Sequence, residues 1–326
     1  MRALVVAALV ASACATQAPP PPAEPAHVVE RPVHVARAGN VDIAWDSFGD
    51  PKARPLLLIM GLGLQMIAWD DDFCGQLAAR GFYVIRFDNR DTGLSTSFDA
   101  WGDPNPLHVF DELRKKHPVS APYLLRDLAD DAAGVLDAAG VRAAHVVGVS
   151  MGGMVAQELA IHHPERVLSL TSIMSNTGAL DVRGPSFETI GALLVPFPPD
   201  RAGFIARSVE VARTLHGGGF PFEDTRVRGI AARSYDRAYR PGGVRRQLIC
   251  IWLSGDRTAA LRALHVPALV IHGDADPLVP VDGGRATARA IPGARLEIIP
   301  GMGHELPRPV WSRVIDDVAA LAAAAP

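Results

Sequence analysis

Apolar residues fall along this chain in blocks whose rhythm changes with position. Residues 33–37 and 41–49 alternate apolar and polar side chains, which predicts a half-buried hairpin. Residues 55–60 are then apolar throughout, as befits a strand covered on both faces. The segments 82–87, 145–149, 168–174, 268–272 and 296–299 read the same way. Helical periodicity fills the gaps at 72–80, 123–139 and 151–162. A closing helix over 310–324 places Val310, Val314, Ile315, Val318 and Leu321 on one face. Strands alternating with amphipathic helices predict an α/β fold, a mostly parallel sheet flanked by helices on both faces.

That rhythm stops between 177 and 262, where no convincing buried strand occurs. Helix-like pieces at 202–215, 225–239 and 245–253 are joined by Phe197-Pro198-Pro199 and Gly217-Gly218-Gly219. The expected organisation is a helical cap, 177–262, inserted into a core made of 31–176 and 263–326.

The first residues look like a targeting signal. Met1-Arg2 supplies a positive end, and 3–11 is an apolar run too short to span a bilayer. Ala11-Ser12-Ala13 then leads into Cys14, which resembles a bacterial lipobox with a signal peptide over 1–13 and acylation at Cys14. Ala11 stands where such motifs usually have Leu, so cleavage by an ordinary signal peptidase or an uncut anchor are the alternatives. Within 14–30, the Pro-rich run 18–25 reads as an extended tether. The expectation is an exported protein of the bacterial cell envelope, held by a lipid on the periplasmic or outer-membrane side. The remaining cysteines, Cys74 and Cys250, lie far apart on apolar helix faces and read as buried free thiols.

Composition narrows the function. Apolar residues make up 48% of the 326 positions, enough for a large core, and 21% are charged. A net charge of -3 with no basic stripe argues against nucleic acid as a partner.

The chemistry centres on Ser150. The run Gly148-Val149-Ser150-Met151-Gly152 sits where an apolar strand gives way to a helix, the context that makes Gly-x-Ser-x-Gly a nucleophile elbow. A serine hydroxyl needs a base, and the base needs an orienting group. Gly301-Met302-Gly303-His304 places an imidazole just after the last strand, and Gly273-Asp274-Ala275-Asp276 ends the strand before it. Asp276 is the expected acid and Asp274 the alternative, which would otherwise cap its own turn. Two backbone donors must hold the oxyanion. Met151 N–H is one; the second comes from Met60-Gly61-Leu62-Gly63, with Leu62 preferred over Gly61.

Asp88, Arg90 and Ser95 suggest a second polar site, but a hydrogen-bonded turn supporting the oxyanion loop explains them better. His162-His163 side chains diverge on a helix and lack a third ligand, so no metal is expected. His216, beside three glycines, reads as a solvated loop residue rather than a cap hinge. Leu193, Leu194, Phe197 and Phe204 suggest an apolar substrate pocket. No cofactor is called for.

The order Ser150, Asp276, His304, together with Trp69-Asp70-Asp71-Asp72-Phe73 and Phe87-Asp88-Asn89-Arg90-Asp91-Thr92-Gly93-Leu94-Ser95, resembles the α/β-hydrolase superfamily, and within it the aclacinomycin methyl esterase type. The likeness spans about 33–321 and weakens in the cap. It implies a serine esterase acting on a small ester through an acyl-enzyme. Relatives often have His-Gly where this chain has Met60-Gly61; the donor there is backbone, so the change leaves it intact. The same triad also supports lactone, amide or carbon–carbon bond hydrolysis and cofactor-free perhydrolysis. A non-catalytic ligand-binding lipoprotein on this fold is the alternative from another class.

Overall fold

A computed structural model describes residues 31–325. Among these residues, eight strands form one sheet: β1 (His34–Ala38), β2 (Val41–Phe48), β3 (Arg54–Ile59), β4 (Phe82–Phe87), β5 (Ala144–Val149), β6 (Val167–Ile173), β7 (Ala268–Gly273) and β8 (Arg295–Ile299). Their order across the sheet is β1-β2-β4-β3-β5-β6-β7-β8, and only the β1–β2 and β2–β4 pairs are antiparallel. The parallel strands are apolar on both sides because helices cover both faces.

Alternation within β3 shows how the two layers divide. Leu57 and Ile59 join Leu128, Val135, Leu136 and Val155 on one face. Leu56 and Leu58 join Phe73, Leu77, Val314 and Ile315 on the other. All four β3 side chains are fully buried, and each such burial contributes about 1.5–3 kcal/mol. The helices behind these contacts are Leu125–Ala138 and Met151–His162 on the first face, and Asp71–Ala79 and Trp311–Ala324 on the second. Asp70 starts the helix Asp71–Ala79 by accepting from Asp72 N–H at 3.2 Å.

Between β6 and β7 the chain forms the helices Phe187–Leu194, Arg201–Leu215, Asp224–Arg237, Pro241–Ser254 and Thr258–Leu261. The last predicted segment there, 245–253, starts four residues late because Pro241 and two glycines open the helix and mask its period. The sequence reading did not place the helices Pro106–Arg114, capped by Asn105, Phe187–Leu194, capped by Ser186, Thr258–Leu261 and Asp282–Ala290. Cys74 and Cys250 are buried free thiols, pushed up to about 12 by burial. The expected signal peptide, Cys14 and tether lie outside the described residues.

Candidate active site

The elbow at Ser150 follows from the two glycines that flank it. A Cβ on Gly148 would stand 2.1 Å from Gly152 O, and one on Gly152 would stand 2.1 Å from Ile59 O. Only glycine permits the helix to pack this closely on β5 and β3. Ser150 itself has φ +55° and ψ -122°, a strained conformation for a residue with a side chain. Its N–H donates to Ile173 O at 2.9 Å, which fixes the turn between β5 and the helix it feeds.

Two loops bring partners to that hydroxyl. His304, beyond β8, places Nε2 2.9 Å from Ser150 Oγ and Nδ1 2.8 Å from Asp276 Oδ2. Asp276 lies beyond β7, with its side chain fully buried. Its Oδ1 accepts from the N–H groups of Leu278 at 2.9 Å and Val279 at 2.8 Å. Burial alone would push this carboxyl up. The charge of His304 and hydrogen bonds from His272, His304 and Val279 N–H outweigh that and hold it at about 2. An ionised Asp276 accepts from Nδ1–H of His304, leaving Nε2 free to take the proton of Ser150.

His272 carries a role that the sequence did not reveal. Its Nε2 lies 2.7 Å from Val279 O and 3.5 Å from Asp276 Oδ2. A carbonyl can only accept, so Nε2 bears a hydrogen, while Nδ1 is buried without a partner among the described residues. The ring therefore braces the acid and its turn together. A histidine inside an apolar strand, four residues before the acid, was the available signal.

Asp274, the alternative acid, is placed elsewhere. Its Oδ1 accepts from Gly301 N–H at 2.7 Å, so it ties the Asp276 loop to the His304 loop rather than capping its own turn.

The loop 60–66 lies across the elbow. A Cβ on Gly61 would come within 3.2 Å of Ser150 Cβ and 3.3 Å of Val149 O. Met151 opens the helix directly after Ser150, and Leu62 follows Gly61 in this loop. Asn89 Nδ2 donates to Met60 O at 2.9 Å, Gly63 N–H to Gln247 Oε1 at 2.8 Å, and Met66 N–H to Asp88 Oδ1 at 2.8 Å. Asn89 and Gln247 were missed by the sequence reading. The glutamine just before the apolar run 248–253 of the helix Pro241–Ser254 was the clue to the second.

Asp88, Arg90 and Ser95 form the supporting turn. Asp88 also accepts from Leu94 N–H and from Arg237, Arg90 pairs with Asp131, and Ser95 Oγ donates to Asp88 O. His162 and His163 turn to separate carboxylates, Glu158 and Asp130. His216 is not solvated as expected: its Nδ1 sits 2.5 Å from Glu305 Oε1 and its side chain is mostly buried. Phe197 and Phe204 pack with Tyr235 and Tyr239 in an aromatic cluster of the insertion itself. Leu193 is half-buried, and the side chain of Leu194 lies outside the described residues.

A family model described as the alpha/beta hydrolase fold matches residues 54–307. The chain belongs to the α/β-hydrolase family. This α/β hydrolase is 35% identical over 299 residues to rhodomycin D methylesterase DauP of Streptomyces sp. (strain C5), covering 85% of this chain and 93% of that one. It is likewise 35% identical over 300 residues to rhodomycin D methylesterase DnrP of Streptomyces peucetius, again covering 85% and 93%. Among solved structures, esterase RhEst1 from Rhodococcus sp. ECU1013 superposes with a TM-score of 0.69 at 21% identity, covering 90% of this chain and 99% of that one. That likeness is one of fold.

Proposed function

We propose that this α/β hydrolase is a serine esterase that cleaves carboxylic esters through Ser150, His304 and Asp276. The observation that carries this reading is the unbroken relay of Ser150 Oγ, His304 and Asp276, at 2.9 and 2.8 Å. Ser150 Oγ attacks the ester carbonyl as its proton passes to His304 Nε2. Asp276 keeps Nδ1 protonated and stabilises the imidazolium. The N–H groups of Met151 and Leu62 receive the developing oxyanion. The imidazolium then protonates the departing alcohol, and water, with His304 as base, releases the acid from Ser150. No step calls for a cofactor.

Two relatives named as methylesterases make small-alcohol esters the first substrates to try. The helices between β6 and β7 act as a cap, because they reach both the oxyanion loop and the His304 loop. Their apolar side chains favour a substrate with an apolar acyl part. The N-terminal sequence adds location: the enzyme is exported and held in the cell envelope by acylation of Cys14.

A fluorophosphonate probe tests the mechanism. It is expected to label the wild type and not Ser150→Ala, while methyl and nitrophenyl esters are turned over by the wild type and not by His304→Ala. Turnover by both variants would remove the relay from the chemistry. For the anchor, palmitate label is expected in the wild-type chain and absent from Cys14→Ser; absence from both overturns lipidation.

A further inference from the structure

The triglycine segment of the insertion has no part in the chemistry above, yet it lies against the loop that carries the catalytic imidazole. Leu215 O accepts from His304 N–H at 2.8 Å, and Gly301 O accepts from Gly219 N–H at 3.0 Å. Between these bonds the two backbones touch. A Cβ on Gly217 would stand 2.4 Å from Gly303 N and 2.5 Å from Gly301 O; on Gly219, 2.4 Å from Gly301 Cα. In the other direction, a Cβ on Gly303 would stand 2.2 Å from Gly217 N and 2.3 Å from Leu215 O. Such an approach requires that Gly217, Gly219 and Gly303 carry no side chain.

Side chains fasten the same contact on both flanks. His216 Nδ1 meets Glu305 Oε1 at 2.5 Å, next to His304 in the chain, and its ring stands edge-on to Phe222. Further on, Glu223 Oε2 accepts from Arg308 N–H at 3.2 Å. Asp274 holds the opposite side of the loop through Gly301 N–H. His304 is thus gripped from the core by the Asp276 loop and from the insertion by 215–219.

We propose that residues 215–219 are a positioning element for catalysis, in which Gly217, Gly219 and His216 hold the His304 loop so that docking of the insertion and assembly of the triad are one event. The mechanical half of this statement is independent of the reaction; its kinetic half rests on the serine-esterase reading. One consequence is geometric. This edge of the insertion cannot lift to admit substrate without stripping His304 N–H of its acceptor, so it stays closed through turnover and substrate enters elsewhere.

Hydrogen exchange over 301–306, measured beside kcat and KM on a nitrophenyl ester, tests both halves. Gly217→Ala is expected to speed exchange at the His304 amide about tenfold, selectively over the sheet strands. Its kcat is expected to fall about a hundredfold with KM little changed, the effect of an imidazole displaced by about 1 Å. His216→Ala moves both readouts in the same direction by less, and His216→Gln, which keeps a donor for Glu305, restores them. Gly229→Ala, on a helix where a Cβ meets nothing within 4 Å, changes neither. Should Gly217→Ala fail to fold, the His216 pair decides alone. Unchanged exchange and kcat in the variants overturn the proposal, as does exchange that rises evenly across the chain with kcat intact. If the wild type neither takes a fluorophosphonate nor turns over an ester, the esterase reading falls, while exchange at His304 still judges the grip.

Discussion

The sheet beneath Ser150 and the seam where the insertion meets the core are both buried, but they are built from opposite materials. In the sheet, Leu56, Leu57, Leu58 and Ile59 are fully enclosed by other apolar side chains, and no contact depends on a particular angle. In the seam, Arg246 from the insertion is 1% exposed and grips both oxygens of Asp91, at 2.7 and 2.8 Å. Tyr123 OH donates to the same carboxylate at 2.5 Å, and Arg237 reaches Asp88 at 2.6 Å. Apolar burial is non-directional and supplies stability. Buried ion pairs cost nearly as much to desolvate as they return, and what they add is geometry. Here the geometry is that of the loop 60–66, which Asp88 and Gln247 hold over the elbow.

The sharpest break comes at the carboxylate that the sheet carries just beyond β7. Asp276→Asn keeps the shape of the site but lets His304 adopt the wrong tautomer. Its kcat is expected to fall about 10⁴-fold with the fold intact, by steady-state kinetics beside circular dichroism. A small loss would mean that the 2.8 Å contact orients nothing.

Within the seam, Arg246→Met strands Asp91 as an unpaired buried carboxylate, at a cost of about 3–5 kcal/mol in urea unfolding. Leu57→Ala in the sheet costs a similar amount, about 2–5 kcal/mol, by leaving a cavity. The difference lies in rescue. Asp91→Asn added to Arg246→Met removes the stranded charge and recovers part of the loss, and Asn tolerates the φ of +69° at this position. No neutralising change can restore Leu57→Ala. If the double seam variant is no better than the single, the seam behaves as ordinary packing and the contrast fails.

A smaller effect follows from Gln247→Leu, which leaves Gly63 N–H without its acceptor. About 1–3 kcal/mol of stability is expected to go, and kcat to fall more than KM rises. A change in KM alone would show that the loop 60–66 binds substrate without serving the transition state.

How much of this was readable beforehand divides along the same line. The strand and helix periods announce the sheet, because burial on two faces leaves an unbroken apolar run such as 55–60. Ser150, Asp276 and His304 were legible because each closes a strand in a glycine-marked turn. The seam was not. Arg246 and Asp91 are separated by 155 residues, and nothing local to either shows that a partner exists. His216 was misread for the same reason: three glycines look like a flexible loop until the chain of Gly301 and Gly303 is laid against them. His272 is a polar residue inside an apolar run and Gln247 one at the edge of such a run, a signal that marks something unusual without saying what it touches.

The mildest test uses acid, and it bears on the sheet alone. His145 lies in β5 with Nδ1 2.9 Å from Ser169 Oγ and its ring edge-on to Phe82. Burial, with the nearby charge of Arg54, lowers its pKa from 6.5 to about 4. The sign follows from proton counts. Between these values the unfolded chain binds a proton that the folded chain refuses, so stability falls as pH drops from 6.5 toward 4. By pH 5.5 the loss attributable to this ring is about 1 kcal/mol. His145→Gln keeps a polar partner for Ser169 and has no proton to gain, so its unfolding midpoint is expected to be flatter over that window than the wild type's. The relevant quantity is the difference between the two pH profiles, because other groups titrate in both. Parallel profiles would show that His145 is charged inside the sheet at no cost. An apolar layer enclosing Leu56, Val147 and Phe82 offers no counter-charge for such a state.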